Sequence, residues 1–316
     1  MKIVFISFAL LACLYANNAV SAQLSGQVTP SSCQSQRVRL QMLGTRGPEI
    51  LDGQASTSYL IWLDNKARVI VDTGPGSLQR FEQSKADFSD VELMLFSHFH
   101  VDHSADFPTY IKGAFFTDRS KDLQLIGPTG TKYVASMKQF VERSIGSKGG
   151  LYPYLGDFAD ATARSAYKIK SQNIKWSSRD LQIRTIYNQH GIKVKTVSTH
   201  HGPFPSQGYR VELAGCSLAF TGDMSGKFGA MPALAKNADI LVAHNAIPED
   251  ATGIPALLHM TPSYIGSMAG KANVKLLLLT HLMKRSLSVK KQTLQLIQKK
   301  YQGKILFPND LDQFQP

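Results

Sequence analysis

Glu92-Leu93-Met94-Leu95-Phe96-Ser97-His98-Phe99-His100-Val101-Asp102-His103 is the stretch on which the reading turns. A short apolar run, Glu92–Phe96, reads as a buried strand and delivers a histidine cluster at its end, where loops carry function. His98, His100, Asp102 and His103 place four ligand-type side chains within six residues, and a curled H-x-H-x-D-H loop can turn all four into one concavity. Imidazole suits zinc, and a carboxylate suits a second cation or a bound water.

The same placement recurs downstream. His201 in Thr199-His200-His201-Gly202, Asp223 in Thr221-Gly222-Asp223 and His281 in Thr280-His281 each close an apolar strand. Five of the nine histidines become ligands in this reading. One metal takes His98, His100 and His201, a second takes Asp102, His103 and His281, and Asp223 bridges them. Asp102 in place of a further histidine lowers the positive charge of the second site and can hold a metal-bound water.

Outward from the cluster, Val38–Leu43 reads as a strand ended by Gly44, and Ser58–Leu63 with Ala67–Val71 as a hairpin about Asp64-Asn65-Lys66. Ser77–Ser84 is a short helix, Leu123–Ile126 a strand, and Val134, Met137 and Val141 mark one helix face. Residues 146–165 have no clear period and are expected to cover the site. In the second half, Leu181–Tyr187 with Ile192–Val197, and Tyr209–Leu213 with Ser217–Phe220, read as hairpins, while Ile240–Ala243 and Val274–Leu279 are buried strands. Thr261-Pro262 opens a helix to about Ala269, and a last helix spans Val289–Tyr301. Two strand-rich halves with helices outside imply sheets packed face to face between helical layers.

With these motifs in this order, the chain resembles the metallo-β-lactamase superfamily, in its tRNase Z-like and arylsulfatase-like branch. The resemblance covers residues 37–312. It also takes in Leu43-Gly44-Thr45, Val71-Asp72-Thr73-Gly74-Pro75-Gly76, the His-Gly-Pro segment with Gly208-Tyr209-Arg210, and His259-Met260-Thr261. It implies an α/β fold, the αββα sandwich of two packed mixed β-sheets flanked by helices, together with the ligand assignment above. Asp72 would steady the first metal loop, and His259 would donate a proton or stabilise an oxyanion near the metals. Asp223 stands where true β-lactamases of this fold carry Cys or Ser, and His100 where the di-iron oxygen reductases carry Glu. The chain is too short for the nucleases with a large inserted domain. It also departs from tRNase Z: His244-Asn245-Ala246 replaces a His-Glu-Ala segment, and no basic, glycine-rich arm is present. The metal chemistry carries over to this chain, and the tRNA substrate does not.

The remaining histidines divide. His200 is a rim residue, or the ligand itself if the register slips by one; the glycine after His201 favours His201. His190 reads as a solvated turn residue and His244 as a hydrogen-bonded core histidine.

Residues 1–22 read as a signal peptide: Lys2, the apolar run Ile3–Tyr15, then Val20-Ser21-Ala22 before Gln23. Leu10-Leu11-Ala12-Cys13 also fits a lipobox that would anchor Cys13, but the apolar run continues past it. Residues 23–36 are a linker and 37–316 a single hydrolase domain, placed in the periplasm or secreted. Such a compartment permits a disulfide between Cys33 and Cys216; a free N-terminal thiol and a small buried hydrophobe is the other reading, and the residues leave both open. The net charge of +12 favours anionic substrates, without firm support for nucleic acid. A homodimer is left open.

The expected chemistry is hydrolysis by two zinc ions, whose bridging water ionises near neutral pH. Asp102 would orient the nucleophile and His259 would assist the leaving oxygen. A phosphodiester or sulfate ester is the expected substrate, a small anionic ester. A lactone or other carboxyl ester is the alternative on the same ligands.

Overall fold

Alternation along uniformly apolar strands sorts their side chains between different cores. The computed structural model describes Met1 and residues 32–316; the signal-peptide and lipobox readings, and linker residues 23–31, lie outside the described residues. The first half contributes β1 (Val38–Gly44), β2 (Ser58–Leu63), β3 (Lys66–Val71), α1 (Ser77–Gln83), β4 (Leu93–Leu95), α2 (Val101–Ser104), α3 (Phe107–Ala114), β5 (Leu123–Pro128), α4 (Met137–Ile145) and β6 (Ile169–Ile174). The second half contributes β7 (Arg184–Gln189), β8 (Ile192–His201), β9 (Phe204–Leu213), β10 (Cys216–Phe220), α5 (Met231–Leu234), β11 (Ile240–His244), α6 (Gly253–Leu258), α7 (Pro262–Ala272), β12 (Leu276–Thr280), α8 (Lys284–Leu287), α9 (Lys290–Gln298), β13 (Lys304–Leu306) and β14 (Gln313–Phe314).

The strands form two seven-stranded mixed sheets, in the orders β14-β1-β2-β3-β4-β5-β6 and β13-β12-β11-β10-β9-β8-β7. In each, antiparallel hairpin strands pass into parallel ones, at β3–β4 in the first sheet and β10–β11 in the second. Leu93 and Leu95 of β4 face the second sheet, in one core with Val211, Phe220 and Leu278. Met94 turns the other way, into the core with Phe107 and Ile111 of α3 and Val141 of α4. On the far side, Leu241 and Leu277 meet Ile265 and Met268 of α7 and Ile297 of α9. The period of two thus yields three cores, and the αββα sandwich follows.

The hairpin about Asp64 and Asn65 closes with both residues at positive φ, 53° and 59°, as a twist-matched two-residue turn requires. The helix entered at Thr261 runs three residues beyond the expected end, to Ala272, where Asn273 takes the left-handed conformation (φ 50°). The expectation of a cover over the site at 146–165 is corrected. This segment holds a 3-10 stretch at Pro153–Phe158, and its Leu155 and Phe158 are buried in the core beneath α3 and α4.

Residues 32–36, read as the end of a linker, are tied to the domain. The Gln34 amide donates to the carbonyl of Ala214 (3.0 Å), and Cys33 forms a disulfide with Cys216 at the start of β10. The other terminus is fixed on the other sheet. β14 pairs with β1, and the Asp310 carboxylate accepts from Thr45 Oγ1 (2.9 Å), the Ala55 amide (2.6 Å) and Arg80 Nε (3.0 Å). A bridge spanning 183 residues removes considerable entropy from the unfolded chain, so Cys33→Ala is expected to cost about 2–5 kcal/mol in denaturant unfolding. Unfolding midpoints equal in the variant, the reduced protein and the oxidised protein would show that the bridge contributes nothing. Among the described residues no helix is long and apolar enough to cross a membrane.

Candidate metal centre

Five strand ends of the two sheets meet at one edge of the sandwich, and each delivers donors. The loop after β4 carries His98, His100, Asp102 and His103, with α2 supplying the curl that turns Asp102 and His103 inward. β8 ends at His201, Asp223 follows β10, β11 ends at His244, and His281 follows β12. Close backbone approach is needed in two places. A Cβ on Gly74 would lie 2.2 Å from the carbonyl oxygen of Asp102, and one on Gly47 would lie 2.7 Å from Cε1 of His281. Glycine there lets neighbouring loops seat against the ligands.

Asp223 is the hub. Its Oδ2 lies 3.9 Å from His98 Nε2, 3.7 Å from His103 Nε2, 3.7 Å from His201 Nε2 and 3.3 Å from His281 Nε2. Two donor sets gather about it within 4.8 Å: His98, His100, His201 and Asp223, and His103, His244, His281 and Asp223. The second set includes His244 by distance, but both nitrogens of that ring are engaged. Nδ1 bonds Asp223 Oδ1 (2.7 Å), and Nε2 bonds the hydroxyl of Tyr59 (2.9 Å), which in turn meets Thr280 Oγ1 (2.7 Å). Asp102 is the better donor on that side, with Oδ2 3.1 Å from His281 Nε2 and 3.5 Å from His103 Nε2. His244 instead fixes one oxygen of Asp223, so that the other faces the imidazoles.

The outward nitrogens of His103 and His201 are held in the same manner. Asp72 accepts from the Ser97 amide and hydroxyl (both 2.7 Å) and bonds His103 Nδ1 (2.8 Å). The carbonyl of Leu258 accepts from His201 Nδ1 (2.8 Å). Fixing Nδ1 in this way sets the tautomer and leaves Nε2 to bind. The Nε2 atoms of His98 and His103 are buried and have no hydrogen-bond partner. Buried polar atoms are rarely left so, and a cation among these imidazoles would satisfy both. The donor set therefore fits a bound metal.

Electrostatics divides the two sides. Burial pushes the imidazoles of His98, His100, His201 and His259 down, His201 to about 4 and His259 to about 3, so these rings present neutral lone pairs. Burial also opposes charge on His103 and His281, but the carboxylates of Asp102 and Asp223 outweigh it and hold both above the ordinary histidine range. The carboxyls of Asp102 and Asp223 are held down against burial by these same histidines. A divalent cation competes with such protons for the same atoms.

The structure thus gathers all eight residues expected at the site: His98, His100, Asp102, His103, His201, Asp223, His281 and, beside them, His259. His259 Nδ1 is buried and unpartnered, 3.7 Å from Asp223 Oδ2. The choice between His200 and His201 is settled by strand alternation. His201 points inward, and His200 bonds Ser225 Oγ at the rim (2.7 Å). His190 sits in the β7–β8 turn at the surface, paired with Glu92 (3.0 Å). Sequence reasoning missed Tyr59, Ser97 and the Leu258 carbonyl as supports. Of these only Ser97 carried a signal, its place directly before His98.

Residues 67–282 match the profile of the Beta-lactamase superfamily domain. The ribonuclease Z of Mycobacterium marinum is 26% identical over 257 residues, 77% of this chain and 86% of that protein. The metallo-β-lactamase fold protein YhfI of Bacillus subtilis superposes with a TM-score of 0.67 at 18% identity, over 88% of this chain and 99% of that one. The short form of human tRNase Z gives 0.64 at 16% identity, over 87% and 98%. With a donor set of this composition at the strand ends, the chain belongs to the metallo-β-lactamase superfamily and is a metal-dependent hydrolase.

Proposed function

We propose that this chain is an exported dinuclear zinc hydrolase that cleaves phosphodiesters. The observation that carries the reading is the position of Asp223 Oδ2, within 3.3–3.9 Å of four imidazole Nε2 atoms that come from both sides of the site. Ligands on one tetrahedral zinc, at bonds of about 2.0–2.1 Å, stand about 3.3 Å apart, and one carboxylate oxygen in this position would serve two such shells. His98, His100 and His201 would complete one, and Asp102, His103 and His281 the other. An imidazole-rich, sulfur-free set suits zinc. When bound, the metal pair supplies Lewis acidity and lowers the pKa of water.

The protein's own groups do the rest. Asp102 orients the attacking water and takes its proton. His259, beside Asp223 but outside both donor sets, is placed to offer its N–H, as a neutral imidazole, to the charge that develops on the leaving oxygen. Phosphodiesters are favoured over sulfate esters and lactones by the similarity to ribonuclease Z and by the basic charge of the chain. Export is supported by the leader-like first 22 residues and by the Cys33–Cys216 disulfide, which suits an oxidising compartment.

Purified mature protein is expected to carry about two equivalents of zinc. Chelation should abolish hydrolysis of bis-p-nitrophenyl phosphate, and zinc should restore it. One equivalent or none after gentle purification would count against the dinuclear reading. A preference for p-nitrophenyl sulfate or a homoserine lactone would redirect the substrate. Intact mass of the exported protein is expected to begin at Gln23, and a diacylated Cys13 would replace export with anchoring.

A further inference from the structure

One side of the approach to the metal centre is apolar. α6 reads Gly-Ile-Pro-Ala-Leu-Leu and has no buried residue, although it contains no polar side chain. Its last residue, Leu258, is built into the site: the carbonyl holds His201, and the side chain packs where a Cβ on Gly202 would lie 2.8 Å from Cδ2. Ile254, Leu257 and Leu258 stand at i, i+3 and i+4, so they form one stripe running outward from His201. A helix of six residues is about 9 Å long, so the whole stripe stays within reach of a molecule bound at the metals. Ile254 is 72% exposed and Leu257 37%.

Other loops around the centre are alike. Phe204 sets its ring edge-on to His100, with centroids 4.2 Å apart, and Val101, between two of the donors, is 66% exposed. Single exposed hydrophobes need no explanation. An uncovered stripe whose inner end is fixed to a site residue, with further apolar groups beside the same donors, does need one.

We propose that this rim binds an alkyl or aryl substituent of the substrate, so that the enzyme's phosphodiesters carry a hydrophobic group rather than a second nucleotide. The proposal deepens the phosphodiesterase reading and depends on it for the reaction. The occupant is the substrate's own tail because the stripe is continuous with the metal site through Leu258. A molecule held by its phosphate at the metals must pass along α6 on its way out.

The test uses zinc-loaded mature enzyme and p-nitrophenyl alkyl phosphodiesters with chains of one to eight carbons. A fully buried methylene is worth about fourfold, so kcat/KM is expected to rise at least about tenfold from methyl to octyl. The double variant I254S/L257S should flatten this rise to about twofold and leave the methyl ester unchanged. Neither side chain is buried, so the variant is expected to fold and melt as the parent does. Calorimetry with octyl phosphate and methyl phosphate reads the rim without turnover; octyl phosphate should bind about tenfold more tightly to the parent only, with a more negative heat-capacity change. Hydrolysis without a chain-length slope, or a slope indifferent to the double variant, would overturn the proposal and leave the phosphodiesterase reading standing. No hydrolysis of any phosphodiester, with octyl phosphate still preferred, would sink that reading and keep the rim. A dimer in the parent that dissociates in the variant would show instead that a second copy covers the stripe.

Discussion

Asp223→Ala is expected to strip metal from both sides of the centre and to lower turnover by more than about 10³-fold. Removing one preorganised electrostatic group alone costs about 10²–10³-fold, and in the proposed dinuclear centre one oxygen would serve both shells. Loss of the bridge also leaves four imidazole Nε2 atoms facing one another with no anion among them. The check is zinc content by mass spectrometry, together with hydrolysis of bis-p-nitrophenyl phosphate. His244→Phe provides a graded companion. It keeps Asp223 but removes the bond to Oδ1, and a lost outer support of this kind costs about 10–100-fold in metal affinity. An Asp223→Ala enzyme that retains both metals would show that another group bridges them.

His259→Ala is expected to behave in the opposite way, keeping both metals while turnover falls by about 10²–10³-fold, the worth of one positioned hydrogen-bond donor to developing charge. His259 lies against Asp223 without a hydrogen-bond partner at Nδ1, and its ring is outside both donor sets, so its removal opens neither shell. The loss should be small for p-nitrophenolate, which leaves without a proton, and large for alkoxides. A structural histidine would slow all substrates alike. Equal losses across leaving groups, or a lowered melting temperature with activity otherwise intact, would return His259 to a structural role.

The contrast between what sequence showed and what it hid follows from range. His98, His100, Asp102 and His103 are adjacent in the chain, and His201, Asp223 and His281 each follow an apolar strand that marks them. The supports had no such mark. Tyr59 lies near the start of β2, where an aromatic residue is ordinary, and its contact with His244 is 185 residues distant. β6 (Ile169–Ile174) passed unread because its middle residues are polar and partly exposed, so no apolar period announces it. α6 was missed because a proline within six apolar residues reads as loop. The lack of a clear period in 146–165 suggests a cover over the site, but the tyrosine and phenylalanine side chains there matter more. Phe158 stacks on Tyr167 at 4.6 Å, anchoring it to the helical layer.

The two chain ends are crossed. The N-terminal segment is bonded covalently to the second sheet through Cys216, and the C-terminal strand completes the first. A protease that cut the connection between β6 and β7 would therefore release nothing. The fragments would remain linked by the disulfide, and the C-terminal one would still supply β14 to its partner's sheet. Such a nicked enzyme should run as one species without reductant and as two bands with it. The same crossing makes this connection a natural place to divide the chain for fragment complementation, since each half carries the piece that closes the other.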